Sequence, residues 1–94
     1  MKEFKVGDGF IYCPGNRVCL LEITKIGEWN NQKKYKNIEY KRYTYIDNSC
    51  TYNDEEYETG KAKIFRDENN EKEYVQLDHW FTHRYCIRHI VYCE

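Results

Sequence analysis

The chain reads as a mainly β fold, a small barrel or strongly bent antiparallel sheet of five or six strands with one short helix near the C-terminus. Three observations carry this expectation. Turn-forming residues recur at short intervals, at Gly7-Asp8-Gly9, Pro14-Gly15-Asn16, Asn30-Asn31, Asp47-Asn48, Gly60 and Asn69-Asn70. The runs between them are rich in Tyr, Ile, Val and Thr, the residues that suit a pleated, half-buried surface. Ten Tyr, four Phe and two Trp supply large rings for a core. Those rings argue against the disorder that 33% charged residues and a mean hydropathy of -0.99 would otherwise suggest.

The first strand is expected over Phe10 to Cys13, with Pro14-Gly15-Asn16 folding it back into a second over Val18 to Ile26. There Cys19, Leu21 and Ile23 alternate with Leu20, Glu22 and Thr24, which buries one face. A third strand covers Tyr35 to Ile46, with Ile38 and Tyr40 on one face and Tyr43 and Tyr45 on the other. A β-bulge near Lys41-Arg42 would bring all four together; without it a tyrosine pair faces water. Shorter strands follow over Ala62 to Arg66 and Tyr74 to Leu77. Asp78 then caps a short helix, because Leu77, Trp80, Phe81 and Tyr85 fall on one helical stripe. A last strand runs from Cys86 to Cys93.

The opening Phe4-Lys5-Val6-Gly7-Asp8 resembles the start of many SH3-like barrel domains. The stretch Val75-Gln76-Leu77-Asp78-His79-Trp80-Phe81 is similar to the strand, short helix, last strand ending of small SH3-like proteins of bacterial and phage type. Together these cover about an eighth of the chain. The resemblance implies an SH3-like barrel acting as a binding module and brings no catalytic residue with it.

With no linker or internal repeat, residues 1–94 read as a single domain. No apolar segment is long enough to span a membrane, and the N-terminus lacks a signal-peptide pattern, so a cytoplasmic location is expected. Five cysteines, an odd number, then read as free thiols in a reducing compartment. Fifteen basic against sixteen acidic residues exclude a wholesale polycation or polyanion. Abundant Lys, Asn, Ile and Tyr hint at an AT-rich bacterial or phage genome.

Beneath that near-neutral total the charge is segregated. Asp47 to Glu58 carries Asp47, Asp54, Glu55, Glu56 and Glu58 with no Lys or Arg, and contains Tyr52 and Tyr57. The simple reading is a solvated loop. The functional one is a patch made by Tyr52, Asp54, Glu55, Glu56 and Tyr57 that meets a basic surface on a protein partner. The leading expectation is therefore a non-enzymatic protein-binding module. Its sharper form is a phage or mobile-element inhibitor of a host defence protein, of the anti-CRISPR kind. The alternative is single-stranded DNA or RNA binding by Lys34, Tyr35, Lys36, Lys41, Arg42 and Tyr43, where cations track phosphate and rings stack bases. A solvated strand explains the same residues.

A weaker alternative is a structural zinc module drawing on His79, His83, Cys86, His89 and Cys93, although the spacings match no zinc knuckle and no cofactor is expected. No motif places a catalytic acid pair, phosphate loop or activated nucleophile, and Cys86 and His89 would point to opposite faces of a strand. The second acidic cluster, Asp67, Glu68, Glu71 and Glu73, reads as a solvated loop. A long polar third strand could also pair with its twin to make a homodimer.

Overall fold

In the computed structural model six strands follow one another: β1 (Gly9–Tyr12), β2 (Cys19–Trp29), β3 (Tyr35–Thr44), β4 (Glu58–Asp67), β5 (Lys72–Thr82) and β6 (Tyr85–Tyr92). The structure describes residues 2–13, 17–45, 51–82 and 84–94, with 79–82 described by backbone alone. Each strand pairs antiparallel with its neighbour in sequence, so the sheet order is β1-β2-β3-β4-β5-β6 and the sheet curls into a half-barrel. The expected turn at Pro14-Gly15-Asn16, residues 46–50 and His83 lie outside the described residues, as do the side chains of His79, Trp80 and Phe81.

Alternation sorts the side chains into two faces. Leu21, Ile23, Ile38, Ile64 and Val75 are fully buried on the inner face, with Phe4, Tyr12, Cys19, Leu77 and Cys93 beside them. Each such aliphatic chain removed from water contributes about 1.5–3 kcal/mol. The expected alternation of Cys19, Leu21 and Ile23 with polar or half-buried neighbours is present.

The hairpin turns follow from local polar chemistry. Asn30 Oδ1 accepts the N–H groups of Lys34 and Tyr35, while Lys33 takes a positive φ of 56° to turn the chain. In the β4–β5 turn Asp67 does the same work for Asn69 and Asn70, with Glu71 at φ 54°. Ahead of β1, Gly7 at φ 96° and the Lys5 N–H to Asp8 Oδ2 bond (2.8 Å) shape the expected turn.

Several expectations change, and β3 takes the unbulged of its two alternatives. The C-terminal helix does not form: residues 78–82 complete β5, whose ladder to β6 runs through Asp78–Arg88, His79–Ile87, Trp80–Cys86 and Thr82–Tyr85. Leu77 and Asp78 are thus held in extended backbone, and Asp78 pairs with Arg88 (3.5 Å) instead of capping a helix. No bulge occurs at Lys41-Arg42; the irregularities lie opposite β3, in β2, between Ile23 and Lys25 and between Ile26 and Trp29. Gly60 is no turn but a mid-strand residue opposite Tyr40, whose ring occupies the space that a Cβ would need. Finally, β3 is hydrogen-bonded on both sides, so it offers no edge to a twin.

The segment ahead of β1 docks on the start of β5. Lys2 N–H donates to Glu71 O (3.0 Å) and Glu73 N–H to Lys2 O (3.0 Å), forming a parallel bridge with Lys72. Glu73 is fully buried, contrary to its reading as part of a solvated cluster. Its Oε1 accepts the Phe4 N–H at 2.9 Å and its Oε2 lies 2.9 Å from Lys36 Nζ.

Candidate interaction site

An unbulged β3 leaves Tyr43 on the outer face, where it would be exposed if nothing covered it. The segment leading into β4 covers it. Tyr52 and Tyr57 lie 5.1 Å and 5.8 Å from Tyr43 between ring centroids, and Tyr45 packs edge-on against Tyr52 at 5.6 Å. Tyr43 is thereby buried to 7% exposure, while Tyr52 and Tyr57 keep 39% and 46%. Lys41 Nζ sits 4.5 Å above the Tyr57 ring, and Arg42 pairs with Glu58 at the start of β4.

Between these anchors the chain turns on Asn53. Its Oδ1 accepts the Glu55 N–H (3.0 Å) and its carbonyl accepts the Glu56 N–H (3.2 Å). Asp54, Glu55 and Glu56 are left exposed at the tip, and among the described residues none of the three forms an ion pair. Glu55 and Glu56 also border an open depression of about 440 Å³ with Arg42, Thr44 and Asn53. All five residues of the predicted patch therefore meet in one place, and they do so on a tyrosine base. Tyr43 and Arg42, which the sequence reading gave to nucleic acid, are the supports of this loop. The signal was present in the face alternation of β3.

The predicted nucleic-acid set is divided by the same alternation. Tyr35, Lys41 and Tyr43 belong to the outer face, whereas Lys36 and Arg42 belong to the inner face and are engaged by Glu73 and Glu58. Lys36 also lies over the Trp29 ring at 4.8 Å, with Arg66 at 4.2 Å. Lys34 is exposed in the β2–β3 turn. A different aromatic array does cross the outer face. Tyr35, Phe65, Tyr74 and Tyr92 stand directly opposite one another on β3, β4, β5 and β6, with successive centroids 6.2, 5.4 and 5.5 Å apart. Lys63 Nζ lies 4.4 Å from the Tyr35 ring.

Among the described residues no group of three or more His, Cys, Asp or Glu side chains is arranged to hold a metal. Cys86 is exposed on the outer side of β6, while His89 turns inward against Tyr12, ring centroids 4.9 Å apart, and Cys93 is buried. His79 and His83 cannot be placed in that set, since the first is described by backbone alone and the second lies outside the described residues. Cys13, Cys19, Cys86 and Cys93 are free thiols.

On the inner side the ladder between β4 and β5 ends at Lys63–Gln76, beyond which the two strands part. The fork holds a cleft of about 320 Å³ bordered by Tyr12, Tyr40, Arg42 and Asp78. Burial, reinforced by the Tyr40 hydroxyl, pushes the Tyr12 phenol above its ordinary range. Among the described residues no helix is long and apolar enough to cross a membrane. No protein-family model, curated protein or solved structure matches the chain.

Proposed function

We propose that the protein is a non-enzymatic binding module whose acidic, tyrosine-based loop docks on a basic surface of a partner protein. The observation that carries this reading is the exposed Asp54-Glu55-Glu56 tip, held on the outer face by the packing of Tyr52 and Tyr57 against Tyr43. Ordering a loop before binding lowers the entropic cost of association. Exposed like charges at its tip steer an oppositely charged partner and fix its orientation. Tyr52 and Tyr57, each still partly exposed, add amphipathic contact area on either side of the acidic tip.

In its sharper form the partner is a host defence protein with a nucleic-acid-binding groove, and three adjacent carboxylates stand in for a phosphate backbone. That form is supported by the charge of the tip. Paired baits test it: wild type and a Glu55→Lys/Glu56→Lys variant are immobilised and exposed to host lysate. The expected result is a protein with a basic surface that the wild type retains, that moderate salt elutes and that the variant fails to capture. Association measured with that protein should be slower for the variant and less dependent on salt. Equal capture by both baits overturns the reading.

The outer-face array of Tyr35, Phe65, Tyr74 and Tyr92 with Lys63 favours a second reading, a single-stranded nucleic-acid surface. Fluorescence anisotropy with a short labelled oligonucleotide decides it. Phosphate contacts are strongest at low salt, so absence of binding there removes this alternative.

A further inference from the structure

The half-barrel has an open seam. The ladder runs from β1 to β6 without returning, so both end strands carry one edge of backbone groups outside the sheet. The two edges face each other. Phe10 and Ile11 of β1 and Val91 and Tyr92 of β6 line one groove of about 480 Å³, with Phe4 at its floor. The Tyr12 and His89 rings, one from each end strand, meet at 4.9 Å.

From this geometry we infer that the seam accepts one extended segment of a partner polypeptide, which adds as a strand between β6 and β1. Six alternating strands place β1 and β6 in opposite directions, so an inserted strand can be antiparallel to only one of them. β6 is the longer, eight residues against four, and antiparallel pairing is the more stable, so the segment runs antiparallel to β6. Successive side chains of the segment then face opposite sides. Those facing inward meet Phe4 and Phe10, and those facing outward meet Ile11 and Tyr92, so both sets are apolar or small. Ile11 is 60% exposed as the seam stands, a large apolar surface for such a strand to cover.

Charge narrows the occupant further. The mouth of the groove carries Asp8 and Glu94, and among the described residues neither forms an ion pair. Asp8 Oδ2 is occupied only by the Lys5 backbone N–H. The segment therefore combines alternating apolar residues with a basic side chain that reaches the mouth. This surface is separate from the acidic loop and does not depend on its assignment.

The test uses end-blocked heptapeptides of alternating valine and threonine, one carrying lysine and one glutamate at the central position. Amide spectra and hydrogen exchange of the full chain are followed as each is added. The lysine peptide is expected to shift β1 and β6 amides and slow their exchange, and to bind about tenfold more tightly than the glutamate peptide. Glu94→Lys, at an exposed position, should remove that preference, whereas Glu55→Lys/Glu56→Lys should leave it unchanged. No response of β1 and β6 at millimolar peptide overturns the inference, as does a preference that Glu94→Lys fails to alter. Protection of these amides that rises with protein concentration alone also overturns it, because the seam is then occupied by a second copy of the chain.

Discussion

Glu73 Oε2 lies 2.9 Å from Lys36 Nζ with the carboxylate wholly removed from solvent, so a central strand and the fifth strand are joined by a buried charge pair. Breaking such a pair leaves an uncompensated charge in the interior, which costs about 3–5 kcal/mol. Lys36→Ala is expected to lose stability on that scale in urea unfolding. Lys36→Met combined with Glu73→Gln should recover most of the loss, because the glutamine oxygen can still accept the Phe4 N–H. The exposed pair Lys25–Glu39 offers the contrast: Lys25→Ala should cost less than about 1 kcal/mol. Similar costs at the two sites would show that Lys36 and Glu73 are solvated.

Gly60 and Tyr40 form a cross-strand pair in which the ring lies over the bare backbone. Gly60→Val should destabilise the fold by about 1–3 kcal/mol through overpacking. The penalty should shrink when Tyr40 is first changed to Leu, and the double-mutant cycle reads the coupling directly. Additive effects would mean that the ring does not occupy that space.

Asp67 is held below the usual carboxylate range, first by the Asn70 side chain (2.7 Å), with backbone N–H groups of Asn70 and Asn69 and the Tyr92 hydroxyl adding to the effect. A depressed folded pKa contributes stability above the unfolded value of about 3.9, and that contribution is lost as pH falls through the folded value. Asp67→Asn should therefore be less stable than wild type at neutral pH. The gap between their melting temperatures should close as the pH is lowered through the acid range. A gap that stays constant with pH would assign the effect to packing.

Burial pushes the Cys93 thiol above its ordinary range, and Cys19 is buried as well. Cys13 and Cys86 are exposed. A thiol-specific reagent followed by peptide mass spectrometry should label Cys13 and Cys86 in the native protein. Cys19 and Cys93 should react only on unfolding, and rapid native labelling of Cys93 would contradict its place in the core.

The strand positions were legible because β structure announces itself locally, through alternation such as Cys19-Leu21-Ile23 and through turn residues such as Asn30 and Asn70. Leu77, Trp80, Phe81 and Tyr85 misled because the same spacing satisfies a helical stripe, and only pairing with β6 decides between the two states. Glu73 was unreadable for a different reason. Its partners, Lys36 and Phe4, stand far away in sequence, and nothing near it distinguishes a buried carboxylate from its solvated neighbours Glu68 and Glu71. The acidic patch was legible in composition, whereas its support by Tyr43 depended on the absence of a bulge in β3.

The bond from the Phe4 N–H to Glu73 spans 69 positions of the chain, whereas every ladder of the sheet joins neighbours in sequence. Assembly is consequently two-tempered. Hairpins form on their own, each within about 1–10 μs, while the segment carrying Phe4 finds its seat only after the fifth strand exists. During synthesis Phe4 emerges well before its partner, and it waits in solvent until Glu73 has left the ribosome.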